Sequence, residues 1–447
     1  MSDPRNSQEL LDFAAQLVGA AKSAGADASD AIVVRGRSVS VSVRLGKVEG
    51  TEASESDDCS LRVFVGKRIA TISANSGSDV KMLAERAVAM AKVAPEDPFQ
   101  SLADRECLVK SPRDLDLFDP TSVSSEALAE AALEQEEAAM AVKGITNSGG
   151  SSASAGFGGM VLVTSDGFSG HYVGSRFGRG LSVIAGEGTG MERDYEFSSR
   201  IHYKDLEESR VIGLKAAERA VRKINARKAK TGPVNVIFDP RVARGIAGHL
   251  AGAINGASIA RKTSFLKDRM GEQILAKGIF VTDDPLKVRG PSSRPFDGEG
   301  VEGSAMTFVD DGVLKAWTLS TATARELGLE TNGRGVRSGS TIAPSSTNFA
   351  FEPGNIAPGD LIKQIGAGFY VTEVIGHGVD LVTGDYSRGA SGFWIENGEL
   401  THPVSEVTIA GNLKDMFMNM ILANDLDRNF GTAAPTLAIT GMTLAGD

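Results

Sequence analysis

The chain has 447 residues, of which 41% are hydrophobic and 23% charged, and its formal net charge is −10. That length exceeds one ordinary core and points to two or three domains, and the composition is that of a folded globular chain rather than a disordered one. No long Lys/Arg cluster supplies the phosphate-neutralising surface that direct nucleic-acid binding needs, and no apolar run approaches the roughly 20 residues of a membrane span.

Glycine is abundant, at 52 residues, and scattered among Val/Ile/Phe alternations, which predicts many turns and much β structure. Cys59 and Cys107 lie far apart, and the first residues (MSDPRNSQELL) show neither a basic nor an apolar leader pattern, so a reducing cytoplasm is expected.

Along the chain, Leu10, Phe13, Ala14, Leu17 and Ala21 form a helical stripe over 6–24, with Asn6 and Glu9 at capping-box-like spacing. The pattern then changes to period two. Val39, Val41 and Val43 alternate with polar residues, and LRVFVGKRIATISAN repeats the alternation on both sides of Gly66-Lys67, predicting a hairpin before a second helix through Val80, Leu83, Ala87 and Met90. The Ala/Glu-rich stretch 124–142 predicts a helix with its acidic residues mostly toward solvent. A Gly/Ser-punctuated antiparallel meander over 151–190 turns at Asp166-Gly167, and a helix over 205–225 ends before the breaker TGP.

After the strand VNVIFDP, Asp239-Pro240 is a good helix start, with Val242, Ile246, Leu250 and Ile254 on one face and His249 beside it. Gly245, Gly248 and Gly252 each cost about 1 kcal/mol relative to Ala inside a helix, which suggests close approach of another element or a ligand. Asp311-Gly312 and Asn397-Gly398 predict two hairpins. A late helix is expected over 412–425, capped by Asn412, with Leu413, Met416, Phe417, Met420 and Ile421 on its apolar side. The fold class expected is α+β: an N-terminal α+β domain (1–112), a central helix and antiparallel-sheet domain (113–231), and a β-rich C-terminal domain (232–447).

Candidate chemistry is sparse. The five histidines (His171, His202, His249, His377, His402) show neither HExxH nor HxH spacing, which argues against a local zinc motif. Ser391 in GASGF lacks the spacing of a nucleophile elbow, although His377 and Asp385 are nearby in sequence. GEGTG and GAGF are incomplete as phosphate loops, and Asp283-Asp284 reads as a solvated turn before Pro285 rather than a metal site.

Three stretches carry a resemblance. DYSRGASGFWIENGELTHPVSEVTIAGNLKDM (385–416), GHLAGAINGASIARKTSFL (248–266) and MERDY (191–195) together resemble the PmbA/TldE branch of the TldD/PmbA family, over essentially the whole chain. The resemblance implies a cytoplasmic α+β protein that pairs with a TldD-type subunit to form a zinc-dependent protease acting on unfolded peptides, including bacteriocin precursors and antitoxins. The zinc-bearing branch carries H-E-x-x-x-H on the corresponding helix. Laid on this chain, that motif puts His249 at the second histidine, Arg244 at the first and Gly245 at the general base.

Arg244 is a permanent cation with only donors and cannot ligate zinc. The resemblance therefore implies a subunit without catalytic residues, metal or cofactor of its own, the zinc lying in the partner. Arg244, His249, Tyr386 and Arg388 are then the candidate substrate-binding residues. Isolated chains pairing as homodimers remain an open possibility at this stage. The alternatives are a stand-alone metallopeptidase with an unrecognised site, and a peptide-binding modulator protein.

Overall fold

The computed structural model describes residues 7–338 and 341–447. In the N-terminal body the elements run α1 (Gln8–Ser23), β1 (Ala28–Arg44), β2 (Lys47–Val65), β3 (Arg68–Asn75), α2 (Val80–Val93), α3 (Ser125–Met140), β4 (Ile145–Thr164), β5 (Ser169–Ala185), β6 (Glu192–Arg200) and α4 (Ser209–Arg222). The six strands form one antiparallel sheet in the order β3-β2-β1-β4-β5-β6. β1 pairs with β4 from Asp30↔Thr164 to Val43↔Ser151, so segments 1–112 and 113–231 share a single sheet. Four of its strands are 17 to 20 residues long, far beyond the usual five or six.

Period-two alternation assigns the two faces of this sheet different partners. On the odd-numbered side of β1, Ala31 and Val33 pack with Leu17 of α1 and Leu83 of α2, while Val41 and Val43 pack with Leu128 and Ala132 of α3. α4 covers Leu181 and Val183 of β5 on the same side. The opposite side is covered at one end, where Ile32 and Leu162 meet Phe168 and Phe296. Toward the other end many of its residues are small: exposed Ser38 lies opposite Gly156, and exposed Ser42 lies opposite Ser152, itself exposed and opposite Gly180.

The acidic residues of α3 lie mostly toward solvent, as expected, with one exception: Glu136 is 2% exposed and accepts the backbone N–H groups of Leu45 and Gly46 at 2.9 and 2.7 Å. These residues form the β1–β2 turn with φ of 50° and 74°, so a carboxylate beneath it supplies partners the turn's own backbone lacks. The helix expected over 205–225 begins at Ser209, after a short 3₁₀ turn. Asn6, the expected cap of α1, lies outside the described residues.

The C-terminal body continues with β7 (Gly232–Phe238), α5 (Pro240–Ala253), α6 (Gly256–Ala260), β8 (Val281–Asp283), β9 (Met306–Asp310), β10 (Val313–Leu314), α7 (Thr321–Leu327), β11 (Gly335–Ser338), β12 (Thr341–Pro344), β13 (Phe349–Phe351) and α8 (Pro358–Ile365). It ends with β14 (Gly368–Ile375), β15 (Asp385–Glu396), β16 (Glu399–Asn412), α9 (Leu413–Met418), β17 (Met420–Leu422), β18 (Thr432–Ala433) and β19 (Leu437–Ala445). β16-β15-β14-β7-β19 follow one another in one sheet, and β16 also pairs with β19, closing the ring. Its core includes Val236, Phe238, Phe369, Val371, Ile409 and Ile439, together with Ile246 and Leu250 of α5. A second sheet, β10-β9-β8-β13-β18, completes a β-rich body. The fold class is α+β.

Both predicted hairpins form, with positive φ at Asp311 (47°) and Gly312 (78°) and at Asn397 (53°) and Gly398 (76°), as a two-residue turn requires. The late helix is shorter than its apolar pattern suggested. It stops at Met418, and Met420 and Ile421 enter β17 against Ile439 and Ala438, because pairing with β19 outweighs a helical periodicity this brief. Asp283 is likewise no solvated turn. It is fully buried in β8, paired with the equally buried Arg334 at 2.8 Å, and it accepts the backbone N–H and hydroxyl of Thr347. A buried carboxylate persists only with such partners.

Candidate functional site on the open face of α5

α5 starts where the sequence says it should. Asp239 caps it by accepting the Arg241 N–H at 3.0 Å, and Pro240 takes the first helical position. Val242, Ala243, Ile246, Ala247 and Leu250 bury one face. On the other face Gly245 and Gly248 are exposed, and a Cβ built on either meets no heavy atom within 4 Å. Only Gly252 is accounted for by close packing, with Leu381 Cδ1 at 3.0 Å from such a Cβ. Packing inside this chain therefore does not explain the first two glycines.

Arg241, in the first turn, is fully engaged. Its Nη1 reaches Asp194 Oδ1 at 2.8 Å and its guanidinium lies over the Tyr195 ring. Asp194 also holds Lys223 at 2.8 Å, and Lys223 reaches Glu373 at 3.3 Å. This chain of charges joins β6 and α4 of one body to α5 and β14 of the other. Burial disfavours the Arg241 cation, but hydrogen bonding and attraction from Asp194, with Asp239, more than reverse that and raise its pKa.

Arg244, one turn on, differs. Its guanidinium lies 3.9 Å from the ring centre of Phe430 and 6.0 Å from that of Phe197, and it has no ion pair among the described residues. Burial pulls its pKa below the usual arginine range. His249 sits edge-on to Tyr386, ring centres 6.0 Å apart at 74°. Burial first, and then the charge of Arg388, lower the imidazole pKa, so His249 is neutral at pH 7. Tyr386 is 2% exposed and stands behind His249, its hydroxyl pushed up to about 12 by burial against the opposing pull of Arg388. Arg388 donates from Nε to the Ile375 carbonyl at 3.3 Å. Tyr386 and Arg388 of β15 thus stand beside His249, whereas Arg244, five residues earlier on α5, lies against Phe430 and Phe197.

The neighbourhood of His249 does not fit a zinc ion: Arg388 brings a positive charge to it, and no group of three or more His, Cys, Asp or Glu residues with metal-holding geometry occurs among the described residues. Nor do Ser391, His377 and Asp385 make a triad: the Asp385 carboxylate is engaged by Thr383 and Asn412, and His377 is exposed.

One neighbour of α5 was not foreseen as a functional element. β6 is the outer strand of its sheet, beside Arg241 and Arg244, and an extended peptide would be expected to add there. Its margin is already engaged. The N–H groups of Tyr195 and Phe197 donate to the carboxylates of Asp194 and Glu196, and the carbonyls of Arg193, Tyr195 and Ser199 accept from Lys223, Arg241 and Arg200. The alternation of acidic and aromatic residues in ERDYEF is the signal for this device.

Comparison with known proteins agrees with this architecture. Family models described as PmbA/TldA metallopeptidase domain 1, central domain and C-terminal domain match residues 29–91, 118–224 and 231–446. Metalloprotease PmbA of Escherichia coli O157:H7 is 35% identical over 98% of this chain and 97% of its own length. The homolog from Haemophilus influenzae is also 35% identical, over 98% of this chain and 97% of its own. Among solved structures, a candidate modulator of DNA gyrase from Bacteroides thetaiotaomicron superposes with a TM-score of 0.91 at 27% identity, over 98% of this chain and 99% of that one. TldE from Thermococcus kodakarensis shares the fold, with a TM-score of 0.83 at 22% identity over 97% of this chain and all of that one. With family models and full-length relatives in agreement, the chain belongs to the PmbA/TldD metallopeptidase family.

Proposed function

We propose that this chain is a non-catalytic subunit of a TldD/TldE-type zinc metalloprotease that degrades or processes unfolded peptides. It forms part of the substrate chamber, and a TldD-type partner carries the zinc and the general base. The observation that supports this most directly is the occupancy of α5. Arg244, stacked on Phe430, stands where the family motif has a histidine, and Gly245, exposed and without a side chain, stands where it has the glutamate. A guanidinium offers no lone pair to a metal, and glycine offers no proton acceptor.

On this reading the open glycine face and the small-residue half of the long sheet are chamber wall, and the chain holds no zinc and cuts no peptide unaided. Isolated copies pair with one another only in the partner's absence. The site of action is the cytoplasm, which suits two free cysteines and an acidic chain that does not bind DNA directly. No helix among the described residues is long and apolar enough to cross a membrane.

Co-expression with a TldD-type chain tests this. The two should co-purify, with zinc-dependent cleavage of an unfolded peptide by the pair and none by this chain alone. Stoichiometric zinc and peptidase activity in the isolated chain would overturn the reading. The double variant Arg244→His, Gly245→Glu should still fail to cleave, because the remaining ligand and the substrate alignment are not restored by two side chains.

A further inference from the structure

We infer that the open face of α5 recognises carboxylates, so that the peptides held there are acidic ones, met by Arg244 beside Phe430 and by Arg388 beside His249. The inference rests on the chamber reading and adds a chemical class of substrate to it.

Three observations carry it. First, the Arg244 guanidinium lies over the Phe430 ring, 3.9 Å from its centre, with Phe197 farther off at 6.0 Å, while no hydrogen bond or ion pair among the described residues takes its N–H groups. A guanidinium fixed in this way presents a ready fork for a carboxylate. The contrast with Arg241 on the same helix, whose N–H groups go to Asp194, Asp239 and Tyr195, shows how this chain treats an arginine that serves structure alone.

Second, Arg388 gives its Nε to a single carbonyl and has no ion pair among the described residues, although the chain carries 57 acidic residues. Acidic side chains are plentiful, yet Asp239 and Asp427 act on Arg244 only from a distance and no carboxylate among the described residues pairs with either arginine. His249, neutral and standing against Tyr386, adds a hydrogen-bonding group beside Arg388.

Third, Arg244 and His249 flank the open strip of α5: five residues apart, they differ by about 7.5 Å along the axis and about 140° around it. Gly245 and Gly248 leave the backbone of α5 open between them. Because the β6 margin is occupied by its own side chains, side-chain charge rather than added-strand hydrogen bonding is what this surface offers.

The test uses short fluorescent peptides with amidated C-termini and glutamate, glutamine or lysine at alternate positions. Binding to the full chain, alone and with its TldD-type partner, is followed by anisotropy. The glutamate peptide should bind at least about tenfold tighter than the glutamine one, and the advantage should shrink between about 50 and 500 mM salt. Arg244→Gln and Arg388→Gln, each checked for an unchanged melting temperature, should each remove most of that advantage. Arg244→Lys should recover only part, because it keeps the charge and loses the fork.

A glutamine peptide with a free C-terminus separates terminal from side-chain carboxylates: a gain confined to it assigns the grip to the chain end. Equal binding of the glutamate and glutamine peptides, or indifference to both arginine variants, overturns the inference and leaves the chamber reading standing. No binding of any peptide by chain or complex overturns both.

Discussion

Arg241 and Arg244 stand one turn apart on the same helix, and their surroundings have nothing in common. Arg241 lies in a sealed network of Asp194, Lys223, Glu373 and Asp239 that ties the two bodies together. Arg244 rests on the Phe430 ring with its donors unpaired among the described residues, in a turn whose next residue is an exposed glycine. The first turn of α5 is organised for stability and the second is left incomplete by this chain alone. An arginine in a helix is therefore informative only through what its N–H groups touch.

The largest effect that would sharpen this contrast is expected from Asp194→Ala, which strands Lys223 and Arg241 without their shared carboxylate. Breaking a buried charge network in this way costs about 3–5 kcal/mol, seen as a lower denaturant midpoint. Arg244→Ala in the same assay should move the midpoint far less. If the two variants lose equal stability, the distinction between the turns is wrong.

Leu250→Ala, on the apolar face, should cost about 3 kcal/mol from lost burial and the cavity left behind, and leave carboxylate preference unchanged. Gly248→Ala runs the other way. Nothing lies within 4 Å of the added methyl, so helix propensity should stabilise the isolated chain by about 0.5–1 kcal/mol, while binding of peptide or partner at this face weakens. A variant more stable in isolation and poorer in assembly would identify the glycine as kept for contact.

The smallest effect is on pH dependence. The His249 pKa lies below its ordinary value of about 6.5 because the ring is buried beside Arg388. Its contribution to stability is therefore present above that pH and lost as pH falls through the lower folded-state value. His249→Gln should flatten that portion of the melting-temperature profile, and an unchanged slope would mean the imidazole is solvated in the folded chain.

Much of this was legible in the sequence, for identifiable reasons. α5, its Asp239 cap, the buried Val242/Ile246/Leu250 face and the two Asx-Gly hairpins follow from local rules that the tertiary structure did not oppose. The charged residues were harder. Asp283 and Glu136 look solvated in isolation, and only the distant Arg334 and the turn at Leu45-Gly46 reveal why each is buried. Their partners lie 51 and 91 residues away, beyond any periodicity. Arg244, His249, Tyr386 and Arg388 could be singled out from the sequence as substrate-binding candidates, but burial of Tyr386 behind His249 and the aromatic bed under Arg244 needed coordinates. Phe197 and Phe430 carry no sequence signal of that role.

The self-capped margin of β6 has a consequence for the life of the chain before assembly. A strand with free donors and acceptors on its outer side is a seed on which other copies nucleate fibrous aggregates. By turning its own aspartate and glutamate back onto Tyr195 and Phe197, and taking a cation from each neighbouring helix, β6 is a poor template for such growth. The chain is thus guarded against polymerising through this strand.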